Sequence, residues 1–317
     1  KNIIEFLREQ AILNLFKTSA FKKVWPTWQS VIRDLTPNLT EHQILTIGDN
    51  LRKVFYSTNK KDKSNLSESD LQSEVSGGGV VWESLVCWYL NLCLIGRRTV
   101  VIKHTKDLLP DPVRFAITVN YNNFISNTES DLIAITFPDL NDYMINKEDI
   151  KVNDINGNPV IPIVRKKYRL KDVLNALTHR DFGEIEIHII QCKTNWNDNA
   201  QIPMLWDIIY SAENFKSNTK IGEHGYSIHD VKSFTYSFVT VPTVKIENFK
   251  PNSVAVMRVA NLSGGNYWGL PSKSGVASSV KELLSRNLST GHSKNHLTTI
   301  RENKDKLLNE YNYFKIL

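Results

Sequence analysis

Apolar and polar positions recur along this chain with two different periods, and the switches between them mark out its elements. Near the start, "IIEFLREQAILNLFK" puts Ile3, Ile4, Phe6, Leu7, Ile12, Leu13, Leu15 and Phe16 mostly on one face of a helix. "LTEHQILTIGDNLRKVFY" predicts a second helix, capped by Thr40 with Gln43 three residues later. The polar stretch "STNKKDKSNLSESD", 57–70, reads as a loop or linker. In "SGGGVVWESLVCWYLNLCLIGRR", 76–98, glycines interrupt the chain and a third helix follows. Val80, Val81, Leu85, Trp88, Tyr89, Leu92 and Leu94 make it apolar over much of its surface, the signature of a central helix, and Glu83 is its only acid.

Beyond residue 98 the period shortens. "RTVVIKH", 98–104, "VRFAITVNY", 113–121, and "SDLIAITFPDL", 130–140, are expected strands. A long insertion, 141–180, carries a turn at "NDINGNP" and the basic segment "RKKYRLKDVLNAL". "GEIEIHIIQCK" is a further strand and "IPMLWDIIYSAEN" a helix. "SFTYSFVTVPTV" and "SVAVMRVANL" are expected strands, and the tail, 276–317, is helical and charged. This alternation predicts an α/β fold: a mixed central sheet flanked by helices, with helical additions at both ends. The expected division is a helical region and linker over 1–75, a core over 76–260 and a glycine-rich loop with a helical region over 261–317.

Composition narrows the class. With 317 residues, 41% of them hydrophobic, the chain suits one large or two modest globular domains. No apolar run approaches the roughly 18–20 residues of a membrane helix, so no membrane partner is expected. The opening "KNIIEFLREQ" is amphipathic and charged and does not read as a secretory signal. Three cysteines, Cys87, Cys93 and Cys192, give no disulfide framework, which favours a reducing, cytoplasmic setting. The net charge of +6 fits either an ordinary basic surface or attraction to a polyanion such as nucleic acid. There is no CxxC, HExxH, Walker loop or GxGxxG between strand and helix, so neither a dedicated zinc site nor a nucleotide cofactor is expected.

The candidate chemistry lies where "EIEIHIIQCK" runs out. Alternate strand residues share a face, so Gln191 and Lys193 project together while Cys192 points the other way. Asp131 opens the apolar run "DLIAITF", and if the two strands pair, Asp131, Gln191 and Lys193 meet. A carboxylate and an amide carbonyl are hard oxygen donors suited to Mg²⁺. A lysine beside them orients or deprotonates water and offsets charge growing on a phosphate. Each residue also has a plainer reading: a turn cap, a buried amide, the first solvated position after a strand, an acid at a helix N-terminus.

The joint order of helix acid, strand acid and Q-x-K strand resembles the PD-(D/E)XK nuclease superfamily, which includes most type II restriction endonucleases. Over 76–210 the pattern falls on Glu83, Asp131 and Gln191–Cys192–Lys193, and "IIQCKTNWND" is closest to the Mrr-like branch, where Gln replaces the usual acid. The resemblance implies a restriction-endonuclease-like core and Mg²⁺-dependent hydrolysis of double-stranded DNA. It implies metal ligation by Asp131, Gln191, the Cys192 carbonyl and Glu83, with Lys193 acting on water. A literal Pro138–Asp139 offers a second candidate for the aspartate; Asp131, which precedes its strand, is preferred. Palindrome cutters are two-fold dimers as a rule, so a homodimer is expected. DNA contacts are expected from the basic cluster Arg165, Lys166, Lys167 and Arg169, from Asn195 and Asn197 beside the site, and from Asn266, Tyr267 and Lys273 in a glycine-rich loop. The contrasting reading is a DNA-binding module that keeps the fold without cleaving, for which the uncharged Gln191 is the best argument.

Overall fold

A computed structural model describes residues 1–58, 78–126, 130–197, 199–212 and 219–317. The expected linker lies almost wholly outside the described residues. A six-stranded sheet organises the chain, in the order β1 (Thr99–Lys103), β4 (Leu132–Thr136), β7 (Glu186–Lys193), β9 (Ser233–Thr240), β10 (Asn266–Trp268), β11 (Ser278–Ser279). β4 is antiparallel to both β1 and β7, whereas β7, β9, β10 and β11 run parallel. A mixed sheet flanked by helices is therefore what the chain forms. Its last two strands come from 261–317, the segment set apart in sequence from the core.

Both faces of the sheet are covered, which is why β1, β4 and β7 are rich in Ile, Val and Leu. On one face lies α5 (Gly78–Cys93), packed on Val101, Leu132, Ala134, Ile190, Cys192 and Val239. Trp82, Leu85, Trp88, Tyr89 and Leu92 are fully buried because α2 (Ser19–Leu35), α3 (Glu41–Thr46) and α4 (Leu51–Tyr56) cover the helix from outside. Thr40 and Gln43 form the expected capping box, at the start of α3. Asn91, buried in α5, donates to the Val101 carbonyl at 2.7 Å and accepts from its N–H at 3.1 Å, sealing the free edge of β1. The other face packs Ile102, Ile133, Ile135, Ile187, Ile189 and Tyr236 against α1 (Ile3–Leu15), α6 (Asp111–Ala116) and α7 (Leu170–Arg180).

Two expected strands change. "VRFAITVNY" is not one strand: Asp111–Ala116 is helical, with Pro112 in its first turn, and only Val119–Tyr121 (β2) is extended. "SVAVMRVANL" forms helix α9 (Val254–Val259), which rests against α8 (Gln201–Ser211). The 141–180 insertion is not peripheral, since Val173, Leu174 and Leu177 of α7 enter the second core. Its basic stretch forms a hairpin of β5 (Ile163–Val164) and β6 (Lys167–Tyr168), turned by Arg165 and Lys166 at left-handed φ of 49° and 64°. A small second sheet, in the order β3 (Phe124–Ser126), β2, β8 (Thr219–Ile221), stands beside the main one.

Candidate active site

The register of the central strands decides which residues meet. β4 and β7 pair as Ile133↔Ile189 and Leu132↔Ile190, so one step further brings Asp131 level with Gln191. β1 ends on the same side: the His104 N–H donates to the Asp131 carbonyl at 3.1 Å. The C-terminal ends of β1 and β7 thus flank the start of β4. Asp139 lies past the opposite end of β4, where its largely exposed carboxylate pairs with Arg98 at 3.3 Å. Of the two candidate aspartates, Asp131 is the one that shares an end of the sheet with Gln191 and Lys193.

Three oxygen donors stand at this end of the sheet. The Asp131 Oδ2 accepts from the Cys192 N–H at 2.7 Å, so its carboxylate takes the place a further β4 residue would hold beside β7. The N–H and C=O of one strand residue point to the same edge. The Cys192 carbonyl therefore emerges towards Asp131, while the Lys193 carbonyl turns to β9 and accepts from the Val241 N–H at 3.3 Å. Gln191 projects onto the face covered by α7, fully buried, and its Oε1 accepts from the Tyr236 hydroxyl at 2.7 Å. That contact spends one of the two lone pairs of the amide oxygen. Lys193, two residues on, follows Gln191 on the same face at the partly exposed end of β7.

Glu83 approaches from the other face. Its Oε1 pairs with Lys103 Nζ at 2.7 Å, and Lys103 also reaches Ser84 Oγ at 3.4 Å. The Cys192 thiol, packed on α5, lies among these charges. Burial pushes its pKa well up, the carboxylates of Asp131 and Glu83 push it further, and Lys193 opposes them. Asp131, Glu83 and Lys193 thus surround one strand end, with Glu83 held by Lys103.

Oxygen chemistry suits this donor set: one carboxylate, one amide carbonyl and one backbone carbonyl are hard ligands of the kind Mg²⁺ takes. The buried thiol points into the core and leaves only the Cys192 carbonyl for ligation. Among the described residues no group of three or more His, Cys, Asp or Glu is close enough to hold a metal, so any metal here relies on the amide and the backbone.

Sequence reading missed three participants. Lys103 ends "TVVIK" just as Lys193 ends "IIQCK", and two strands of like direction both ending in lysine was the available signal. Tyr236 carries no such signal, because its bond to Gln191 depends on the β7–β9 register. His104 joins the site margin through Ser130, with Nδ1 and the Ser130 hydroxyl 3.0 Å apart; burial lowers its pKa. His188 is buried between Thr235 and Ser237, and burial alone lowers its pKa to about 3, which makes it a neutral packing residue.

The expected DNA contacts divide. Arg165, Lys166, Lys167 and Arg169 are exposed on the β5–β6 hairpin and its exit, where Arg169 pairs with Asp172. The helix that follows is tied to the site's end of the sheet, since Lys171 Nζ donates to the carbonyl of Lys106, three residues past Lys103. Asn195 and Asn197 lie in the turn after Lys193, the first half-buried and the second exposed. Asn266, Tyr267 and Lys273 do not serve as expected. Asn266 and Tyr267 sit in β10, 9% and 1% exposed, and Lys273 donates to the carbonyls of Ile246 and Phe249 at 3.1 and 2.9 Å. Their glycine-rich surroundings mark close packing against β9, not an open loop: a Cβ on Gly264 would fall 2.8 Å from the Tyr236 backbone.

Scanned against protein-family models, the chain matches none, and a search of curated proteins returns no match. Among the described residues, no helix is long and apolar enough to cross a membrane.

Proposed function

We propose that this chain is a Mg²⁺-dependent endonuclease that hydrolyses phosphodiester bonds in double-stranded DNA, of the sequence-specific restriction type and working as a homodimer in the cytoplasm. The observation that carries the reading is the level placement of Asp131 with Gln191, with Lys193 one alternate position beyond. Asp131, the Gln191 Oε1 and the Cys192 carbonyl would hold the metal, with Glu83 as an accessory group. When bound, Mg²⁺ lowers the pKa of a coordinated water and offsets charge on the phosphate. Lys193 orients the attacking water and neutralises charge growing on the phosphate oxygens. Water forms the new P–O bond as the opposite ester bond breaks; its proton passes to solvent, and the departing ester oxygen takes up a proton from solvent. Tyr236 donates to the Gln191 Oε1 and so sets which way the amide turns, leaving the oxygen's second lone pair for the metal. Lys103 positions Glu83 and reduces the negative charge near Asp131.

One observation favours a second reading. With the Glu83 carboxylate bound to Lys103 and residue 191 uncharged, two positions of the donor set bring a metal little negative charge, which suits a DNA-binding protein that has kept the fold and lost cleavage. Supercoiled plasmid incubated with the protein in Mg²⁺ and in EDTA, with gel shifts in Ca²⁺ alongside, separates the two. The enzyme nicks or linearises only in Mg²⁺; the binding module shifts DNA and cuts in neither.

A further inference from the structure

The second sheet ends in a feature that the donor cluster leaves unexplained. Tyr121 and Phe124 face each other across the two-residue turn Asn122–Asn123, with Asn122 at a left-handed φ of 56°. They are 57% and 67% exposed, and Ile125 is 59% exposed. Val119, on the same face as Tyr121 but at the base, is buried at 3%, so the ribbon leaves the body between Val119 and Tyr121. Two aromatic rings and an isoleucine at the tip of a narrow projection form an uncommon apolar surface for a soluble chain.

Resting on the nuclease reading above, we propose that this hairpin is a wedge that enters duplex DNA and separates a base step beside the cutting site. Three features of the molecule favour DNA as its occupant. First, β3 ends at Ser126, five residues before Asp131, so the foot of the hairpin lies within roughly 18 Å of the site. Second, cations border it: Lys220 lies opposite Asn120 in the adjoining strand and is exposed, and the exposed Lys106 follows the end of β1 three residues past Lys103. Third, the surface is too small for a protein partner. Side chains of roughly 150–250 Å² each, a little over half exposed, offer about 300–400 Å², against roughly 800 Å² per partner in a stable interface. Aromatic and aliphatic wedges of this size are what proteins insert between base pairs, with nearby lysines holding the phosphates.

The test uses closed-circular plasmid relaxed by a metal-independent topoisomerase in the presence of the protein and Ca²⁺. A wedge that unstacks and unwinds a step leaves a shifted set of topoisomers once protein is removed. The wild-type protein shifts the distribution. Tyr121→Ser with Phe124→Ser abolishes the shift at saturating protein and weakens plasmid binding by roughly tenfold. Tyr121→Phe with Phe124→Tyr, which keeps both rings, retains both properties and guards against a misfolded hairpin. Wild-type protein that binds and cuts plasmid without changing its linking number overturns the wedge and leaves the nuclease reading standing. So does a double serine variant that unwinds as well as wild type, or one whose light scattering shows a lost dimer, which marks the tip as a protein contact. Failure of the wild-type protein to bind plasmid at all overturns both readings.

Discussion

Gln191 is the residue on which the metal and packing readings predict opposite things. It is fully buried and takes the Tyr236 hydroxyl at 2.7 Å. Gln191→Leu keeps the bulk and deletes the oxygen. Loss of that buried bond costs about 1–3 kcal/mol, so the variant melts a few degrees lower and, on the metal reading, loses Mg²⁺-dependent cleavage. Gln191→Glu keeps an acceptor for Tyr236 and adds a charge level with Asp131, one strand spacing of about 4.8 Å away. At an effective dielectric constant of about 20 the two carboxylates repel by roughly 3 kcal/mol. Without metal this lowers the melting temperature or keeps one carboxyl protonated. With Mg²⁺ the same pair becomes the stronger ligand set. The expected outcome is a Glu variant that is destabilised in EDTA, recovers stability in Mg²⁺, and cuts at a lower Mg²⁺ concentration than wild type. The assay is thermal melting in EDTA and across a Mg²⁺ titration, with plasmid cleavage in the same buffers. A Leu variant that still cuts, together with a Glu variant that melts equally low in Mg²⁺ and EDTA, refutes the reasoning.

Other predictions follow from neighbouring contacts. Tyr236→Phe leaves the Gln191 oxygen without its orienting donor, costs about 1 kcal/mol and raises the Mg²⁺ needed for half-maximal cleavage; an unchanged Mg²⁺ requirement removes Tyr236 from the site. Cys192→Ala cuts at near wild-type rate, because only the backbone carbonyl is assigned a role. All three cysteines are buried, so none reacts with a thiol reagent until the chain is unfolded, and rapid labelling of the native protein contradicts this. His188 and His296 have pKa values lowered to about 3 and about 4 by burial. Below the ordinary value of about 6.5 the unfolded chain binds protons that the folded chain refuses, so stability is full above that pH and falls as pH drops, by up to about 1.4 kcal/mol per pH unit for each histidine. Urea midpoints at pH 7.5 and 5 measure this, and a His188→Gln slope equal to that of wild type disproves the His188 share.

The main strands were legible because burial on both faces imposes β-branched runs, as in "TVVIK", "LIAIT" and "EIHIIQCK". "VRFAITVNY" and "SVAVMRVANL" carry the same residue types and fold partly as helix, since a short apolar run has no period long enough to decide. Pro112 in the first turn and Ser253 at the cap position were the signals that favoured helix. The cluster of Asp131, Gln191 and Lys193 was legible from strand alternation plus one assumed pairing. Its supports were not. Tyr236 reaches the site through the β7–β9 register, which no local pattern encodes, and Lys103 was marked only by the lysine that ends its strand. Asn266 and Tyr267 looked exposed because glycines flank them, yet those glycines allow β10 to press against β9.

The most direct test of the central claim compares three proteins on supercoiled plasmid under single-turnover conditions: wild type, Asp131→Ala and Lys193→Ala. Wild type is expected to cleave in Mg²⁺ and to stop in EDTA. Both variants are expected to lose at least a hundredfold, consistent with the usual worth of a metal ligand or a group that orients water, while both still shift DNA in Ca²⁺. Wild-type protein that does not cleave in Mg²⁺, or variants that cleave as fast as it does, would contradict the assignment of Asp131, Gln191 and Lys193 as a hydrolytic site.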